Sequence, residues 1–185
     1  MPNKALFVID TQSELVSIPS TAMPHAARIC EVGTNILNRA RTQPAKELDI
    51  IFVQHSDNPE DPNSTLLRGK EAWELALPPR DDAENERVVH KTTGDTFESN
   101  PTLATDLKDR GVTTIVAFGV QSECCVRATT RGAISAGFEV VLMQGAHSTY
   151  DNEKTGKSAE EIEREVEQEL QAIGVQIIPW DQYEF

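Results

Sequence analysis

The chain alternates short apolar runs with segments whose apolar residues recur at helical spacing. Ala5-Leu6-Phe7-Val8-Ile9 is apolar on both alternating faces, the mark of a strand buried on both sides. Pro24 opens a helical segment to about Arg41, with Ala27, Val32, Ile36 and Leu37 on one stripe. Ile50-Ile51-Phe52-Val53 reads as the second strand and Val88-Val89-His90 as a short third. Between them lies a polar stretch, His55 to Glu86, long enough to suggest a functional loop. Asn100 is expected to cap a helix that starts at Pro101 and closes at Gly111. Thr114 to Phe118 is the fourth strand, Glu123 to Ala136 a helix stopped by Gly137, and Phe138 to Leu142 the fifth strand. Ser158 caps a helix carrying Ile162, Val166, Leu170 and Ile173; after Gly174, Val175 to Ile178 forms the sixth strand.

Strands separated by helices predict a single three-layer α/β domain over residues 1–185, with a six-stranded, mainly parallel sheet and helices on both faces. In such folds ligands bind beyond the carboxyl ends of the strands, where the strand order reverses. With the order 3-2-1-4-5-6, that point lies between strands one and four. Asp10 follows the first strand, Lys91 the third, and Cys125 comes a few residues after the fourth. A carboxylate able to take a thiol proton, and an ammonium favouring both anions, would make that cysteine a nucleophile. Cys125 also reads as the start of a helix, where free backbone N–H groups lower a thiol pKa. Each residue alone has a bland reading: a strand-end turn, a solvated lysine, a packed thiol. Their joint position gives the chemical reading its weight.

Charge and cysteine usage narrow the partners. With 30 acidic and 17 basic side chains the net charge is −13, which disfavours nucleic acid and anionic membrane surfaces. Ala5–Ile9 is too short for a membrane span and lacks the flanks of a leader. Three cysteines, Cys124 and Cys125 adjacent, make a poor disulfide framework and suit a reducing, cytoplasmic compartment.

Gly119-Val120-Gln121-Ser122-Glu123-Cys124-Cys125-Val126-Arg127-Ala128-Thr129 resembles the nucleophile signature of isochorismatase-like cysteine hydrolases. Asp10-Thr11-Gln12 resembles the family's opening D-x-Q, and Lys91 followed by Gly94-Asp95-Thr96-Phe97 its K-x-x-x-[SD]-x-F. The resemblance covers nearly the whole chain in the right order. It implies Asp10, Lys91 and Cys125 as the catalytic group, with Cys124 at a variable position. It also implies a cis peptide between Val120 and Gln121, aiming the Gln121 and Cys125 N–H groups at one oxyanion. The implied activity is hydrolysis of a small amide-type substrate through a thioester, without a cofactor, in a homo-oligomer.

Departures from better-known relatives sharpen the expectation. Nicotinamidases carry a metal site, D-x-H…H, after the second strand; here Gln54-His55-Ser56-Asp57 stands there, with no further histidine before His90. A hydrolytic metal typically has three protein ligands, so none is expected. True isochorismatases cleave a vinyl ether and lack the cysteine, so Cys125 favours acyl transfer; ether cleavage and a silent binding protein stay as alternatives. Cys125 to Arg131 also fits the C-x5-R of cysteine phosphatases, but without a glycine to wrap a phosphate. Gln12, His55, Trp73 and Phe97 are candidates to line the substrate pocket, while His147 and Thr149 read as a loop after the fifth strand.

Overall fold

The computed structural model describes residues 3–185. In chain order the elements are β1 (Lys4–Ile9), α1 (Ser13–Val16), α2 (Ala26–Ala40), β2 (Leu48–His55), β3 (Glu86–Lys91), α3 (Thr96–Ser99) and α4 (Leu103–Asp109). They continue with β4 (Thr114–Val120), α5 (Arg127–Ser135), β5 (Glu139–Ser148), α6 (Ala159–Ala172) and β6 (Gln176–Pro179). The strands form one six-stranded sheet in the order β3-β2-β1-β4-β5-β6. Every neighbouring pair is parallel, as expected of a sheet closed over by crossover helices.

The period of two along β1 sorts its side chains between two cores. Ala5, Phe7 and Ile9 join Ile51, Val53, Leu107, Ile115 and the apolar stripe of α6. Leu6 and Val8 join Val32, Ile36 and Leu37 of α2 on the opposite face. Ser158 caps α6 through a capping box with Glu161, which sets where that stripe begins.

Two expected helices differ in detail. Asn100 does not cap α4: its side-chain amide turns back to donate to the carbonyls of His90 and Thr96, both at 2.9 Å. The helix therefore starts only at Leu103, two residues past Pro101. The helix expected from Glu123 begins as a wider π-type turn, Ser122–Val126, and becomes α-helical only at Arg127.

Away from the crevice, a buried carboxylate ties the start of β3 to the residue that follows α2 and to the long loop. Glu86 accepts from Arg41 at 2.9 Å on both oxygens and from the Arg80 Nε at 2.7 Å. Burial alone would push this carboxyl up, but the Arg41 and Arg80 hydrogen bonds outweigh it and hold it below the ordinary value. Glu86→Gln is expected to cost about 2 kcal/mol in urea unfolding at pH 7. Because the folded-state pKa is depressed, that stabilisation is complete above about pH 4.5 and fades as the pH falls further, so wild type and variant should converge in acid.

Candidate active site

Asp10 sits immediately after β1 with φ of +47°, a left-handed conformation that aspartate and asparagine tolerate better than most residues. Beside it Gly119 has φ of +135°, and a Cβ there would lie 2.1 Å from the Ile9 carbonyl oxygen. Only glycine lets β4 approach the end of β1 this closely, and that approach brings the turn after β4 alongside Asp10. The Val120–Gln121 peptide that follows is cis.

Lys91, the last residue of β3, points its side chain under this turn with no side-chain exposure. Its Nζ lies 2.8 Å from Asp10 Oδ2 and 3.1 Å from Cys125 Sγ. It is also 3.1 Å from the Thr93 carbonyl and 3.2 Å from His55 Nδ1. An ammonium has three protons for these four acceptors, and a neutral thiol sulfur is the weakest of them. Burial would push this ammonium down, but Asp10 and Cys125 outweigh it and hold it above the usual lysine value.

Cys125 differs from the expectation of an acidic, helix-start thiol. It lies within the π-type turn rather than at a helix N-terminus, half-buried against the core. Burial first, then the Asp10 carboxylate, push its thiol up to about 12, against the opposing pull of Lys91. Near neutral pH this environment favours the protonated thiol. Both Asp10 oxygens are buried and, apart from the Lys91 ion pair at Oδ2, have no hydrogen-bond partner among the described residues.

The remaining motif residues hold these three together. Thr129 on α5 joins its hydroxyl to that of Thr96 at 2.9 Å and accepts from the Thr96 N–H at 3.2 Å, docking the loop after Lys91 onto the helix that follows the Cys125 turn. Asp95 caps α3 by accepting from the Phe97 N–H. Gln12 is fully buried; it donates to the carbonyls of His55 and Trp73 and accepts from the His55 N–H. Gln12 thus braces the crevice through the backbone rather than facing it.

The proposed pocket residues separate on inspection. His55 ends β2 in contact with Lys91, its Nε2 3.2 Å from Asp57 Oδ1. Asp57 Oδ2 in turn accepts from the Thr65 and Leu66 N–H groups, so His55 is tied to the long loop. Trp73 stacks on His90 and donates its indole N–H to Ser56. The Phe97 ring stacks on Phe7 and packs against Phe138, in the core. His147 and Thr149 are fully buried, and His147 belongs to β5 itself rather than to a loop after it. The long β5 explains the difference, since the apolar run ends at Met143 while the strand continues.

Asp10, His55 and Cys125 bring three potential metal-ligand atoms within 4.8 Å of one another. The Lys91 Nζ lies within 3.2 Å of an atom of each, so an ammonium already stands where a metal cation would have to. These residues do not fit a metal site, because the second cation would meet the first at contact distance. The C-x5-R pattern fails as well: Arg131 pairs with Glu169 at 2.9 Å on the exposed side of α5.

Residues 4–173 match the family model described as the isochorismatase domain. The chain belongs to the isochorismatase family. A streptothricin hydrolase of Streptomyces noursei is 40% identical over 150 residues, 81% of this chain and 56% of that protein. A second streptothricin hydrolase from the same organism is 39% identical, and the chain spans about half the length of both. Among solved structures, a cysteine hydrolase from Pseudomonas syringae pv. phaseolicola 1448A superposes with a TM-score of 0.82 at 21% identity, over 97% of this chain and 90% of that one. N-carbamoylsarcosine amidase from Thermoplasma acidophilum gives 0.79 at 19% identity, covering both chains in full. Similarity at that level of identity speaks for the fold. No helix among the described residues is long and apolar enough to cross a membrane.

Proposed function

We propose that this isochorismatase-family chain is a cysteine-dependent hydrolase that cleaves the C–N bond of a small amide-type substrate. The observation that carries the reading is the buried Lys91 ammonium bridging Asp10 and Cys125 at 2.8 and 3.1 Å. As Sγ attacks the carbonyl carbon, Asp10 Oδ1 takes the thiol proton. The sulfur then passes from the weakest acceptor around Lys91 to a thiolate-like one, so the ammonium's attraction grows as charge develops. The N–H groups of Gln121 and Cys125 are the donors assigned to the carbonyl oxygen. Asp10 returns its proton to the leaving nitrogen, the C–N bond breaks and a thioester remains on Cys125. Water activated by Asp10 hydrolyses that thioester, releasing the acid and restoring the thiol.

The names of the relatives, a streptothricin hydrolase and an N-carbamoylsarcosine amidase, support hydrolysis and, for the second, an amide-type bond. His55 and Trp73 are the assigned pocket-lining side chains, while Gln12 and Phe97 act through the walls behind them. The three free cysteines suit a cytoplasmic, reducing setting, and a homo-oligomer completes the assignment.

The test is a panel of small amides, ureides and N-carbamoyl compounds, with streptothricin, a vinyl ether and p-nitrophenyl phosphate alongside. Turnover is expected within the C–N group and unchanged by dialysis against a chelator. Turnover of the ether or the phosphate alone, or activity lost to chelator and restored by zinc, would overturn the reading.

A further inference from the structure

The parallel register between β4 and β5 breaks beside the nucleophile turn. Ala117 pairs with Leu142, but Gly119 pairs with His147 where an unbroken register would place Gln144. The extra residues of β5 are taken up around Gly145, whose φ is +79°. The bulge thereby sets a fully buried histidine beside Gly119, one residue before the cis peptide.

There His147 joins two groups. Its Nε2 lies 3.2 Å from Glu167 Oε1 on α6, and its Nδ1 lies 2.9 Å from the Ser122 hydroxyl. The other oxygen of Glu167 accepts from the Gln144 side chain at 2.8 Å, so the carboxylate is held from both sides. Burial pushes the Glu167 carboxyl up, yet the His147 and Gln144 hydrogen bonds outweigh it and keep it below the ordinary range. In the neutral imidazole tautomer that donates Nε2–H to an ionised Glu167, Nδ1 accepts from the Ser122 hydroxyl. Ser122 is fully buried. It is the first residue of the π-type turn that ends at Val126, and the Cys124 and Val126 N–H groups both return to the Gln121 carbonyl.

We propose that His147, held by Glu167, is a positioning residue that pins Ser122 and so fixes the turn presenting the Gln121 and Cys125 N–H groups to the carbonyl oxygen. The proposal rests on the cysteine-hydrolase reading. Its effect falls on reactions that develop an oxyanion and spares those that do not. A displacement of the turn by a fraction of an ångström is expected to slow acyl transfer about tenfold or more.

The experiment compares two reactions of Cys125, each localised by peptide mass. One is acylation by p-nitrophenyl acetate, which passes through an oxyanion; the other is alkylation by chloroacetamide, which does not. The variants are His147→Asn, whose side-chain oxygen can replace Nδ1 and accept from Ser122, and His147→Gln, whose amide reaches only the Glu167 end. Ser122→Ala and the double variant Ser122→Ala/His147→Gln complete a cycle. Expected are acylation lowered about tenfold or more in His147→Gln and Ser122→Ala, largely restored in His147→Asn, and no further loss in the double variant. Alkylation should stay within about twofold of wild type throughout. Equal losses in both reactions, equal losses in His147→Asn and His147→Gln, or additive losses in the double variant would overturn the proposal. Wild type that is not acylated on Cys125 would instead overturn the hydrolase reading, and the positioning role with it.

Discussion

Cys125→Ala is expected to abolish turnover of any substrate found for this chain and to leave the fold intact. The Lys91 ammonium bridges this thiol to Asp10, and a nucleophile acting as a unit with its base carries most of the chemical step, on the order of 10⁶-fold in kcat in comparable triads. Its loss removes one sulfur atom from a half-buried position at the edge of the core, at a cost of about 1 kcal/mol. Circular dichroism and urea unfolding should therefore nearly overlay wild type while activity disappears. Cys124→Ala, at the exposed neighbouring thiol, should keep most of the activity. Activity surviving in Cys125→Ala and lost in Cys124→Ala would move the nucleophile by one residue and take the oxyanion donors with it.

Asp10→Asn is expected to lower kcat by about 10² to 10⁴, with a smaller change in KM, because it removes the proton acceptor and leaves the shape. Asparagine also tolerates the φ of +47°, so the loss can be read as chemistry rather than strain. The pH profile separates this from a thiolate mechanism. With the Cys125 thiol pushed up to about 12, wild-type kcat/KM should not climb through about pH 8 to 9, where an ordinary thiol ionises. The Asp10 carboxylate is one cause of that upward shift, so its removal lets Lys91 draw the thiol pKa down. The residual rate of Asp10→Asn should then rise with pH at lower values than the wild-type thiol would. A wild-type profile that rises through pH 8 to 9 would mean that Cys125 ionises without Asp10.

The parallel sheet was legible because buried parallel strands are written as continuous apolar runs; given the order β3-β2-β1-β4-β5-β6, the residues after those runs fall at one end of the sheet, where Asp10, Lys91 and Cys125 meet. What escaped depends on contacts between distant segments. The tie of His147 to Ser122 needs the bulge in β5, and apolar periodicity ends before it does. Asn100 has the residue type of a cap, but its amide is engaged by His90 and Thr96, which no local pattern encodes. The protonated thiol follows from burial and from Asp10, whereas its position in sequence suggested a helix start. Gln12 and Phe97 lie at pocket-like positions but have side chains engaged by backbone and core.

The most direct test of the central claim is rapid-quench mass spectrometry during turnover of the best substrate in the C–N panel. The thioester route predicts a transient mass increase equal to the acyl part of that substrate, localised to the peptide carrying Cys125 and absent in Cys125→Ala. Turnover at an undiminished rate with that peptide never modified would contradict it.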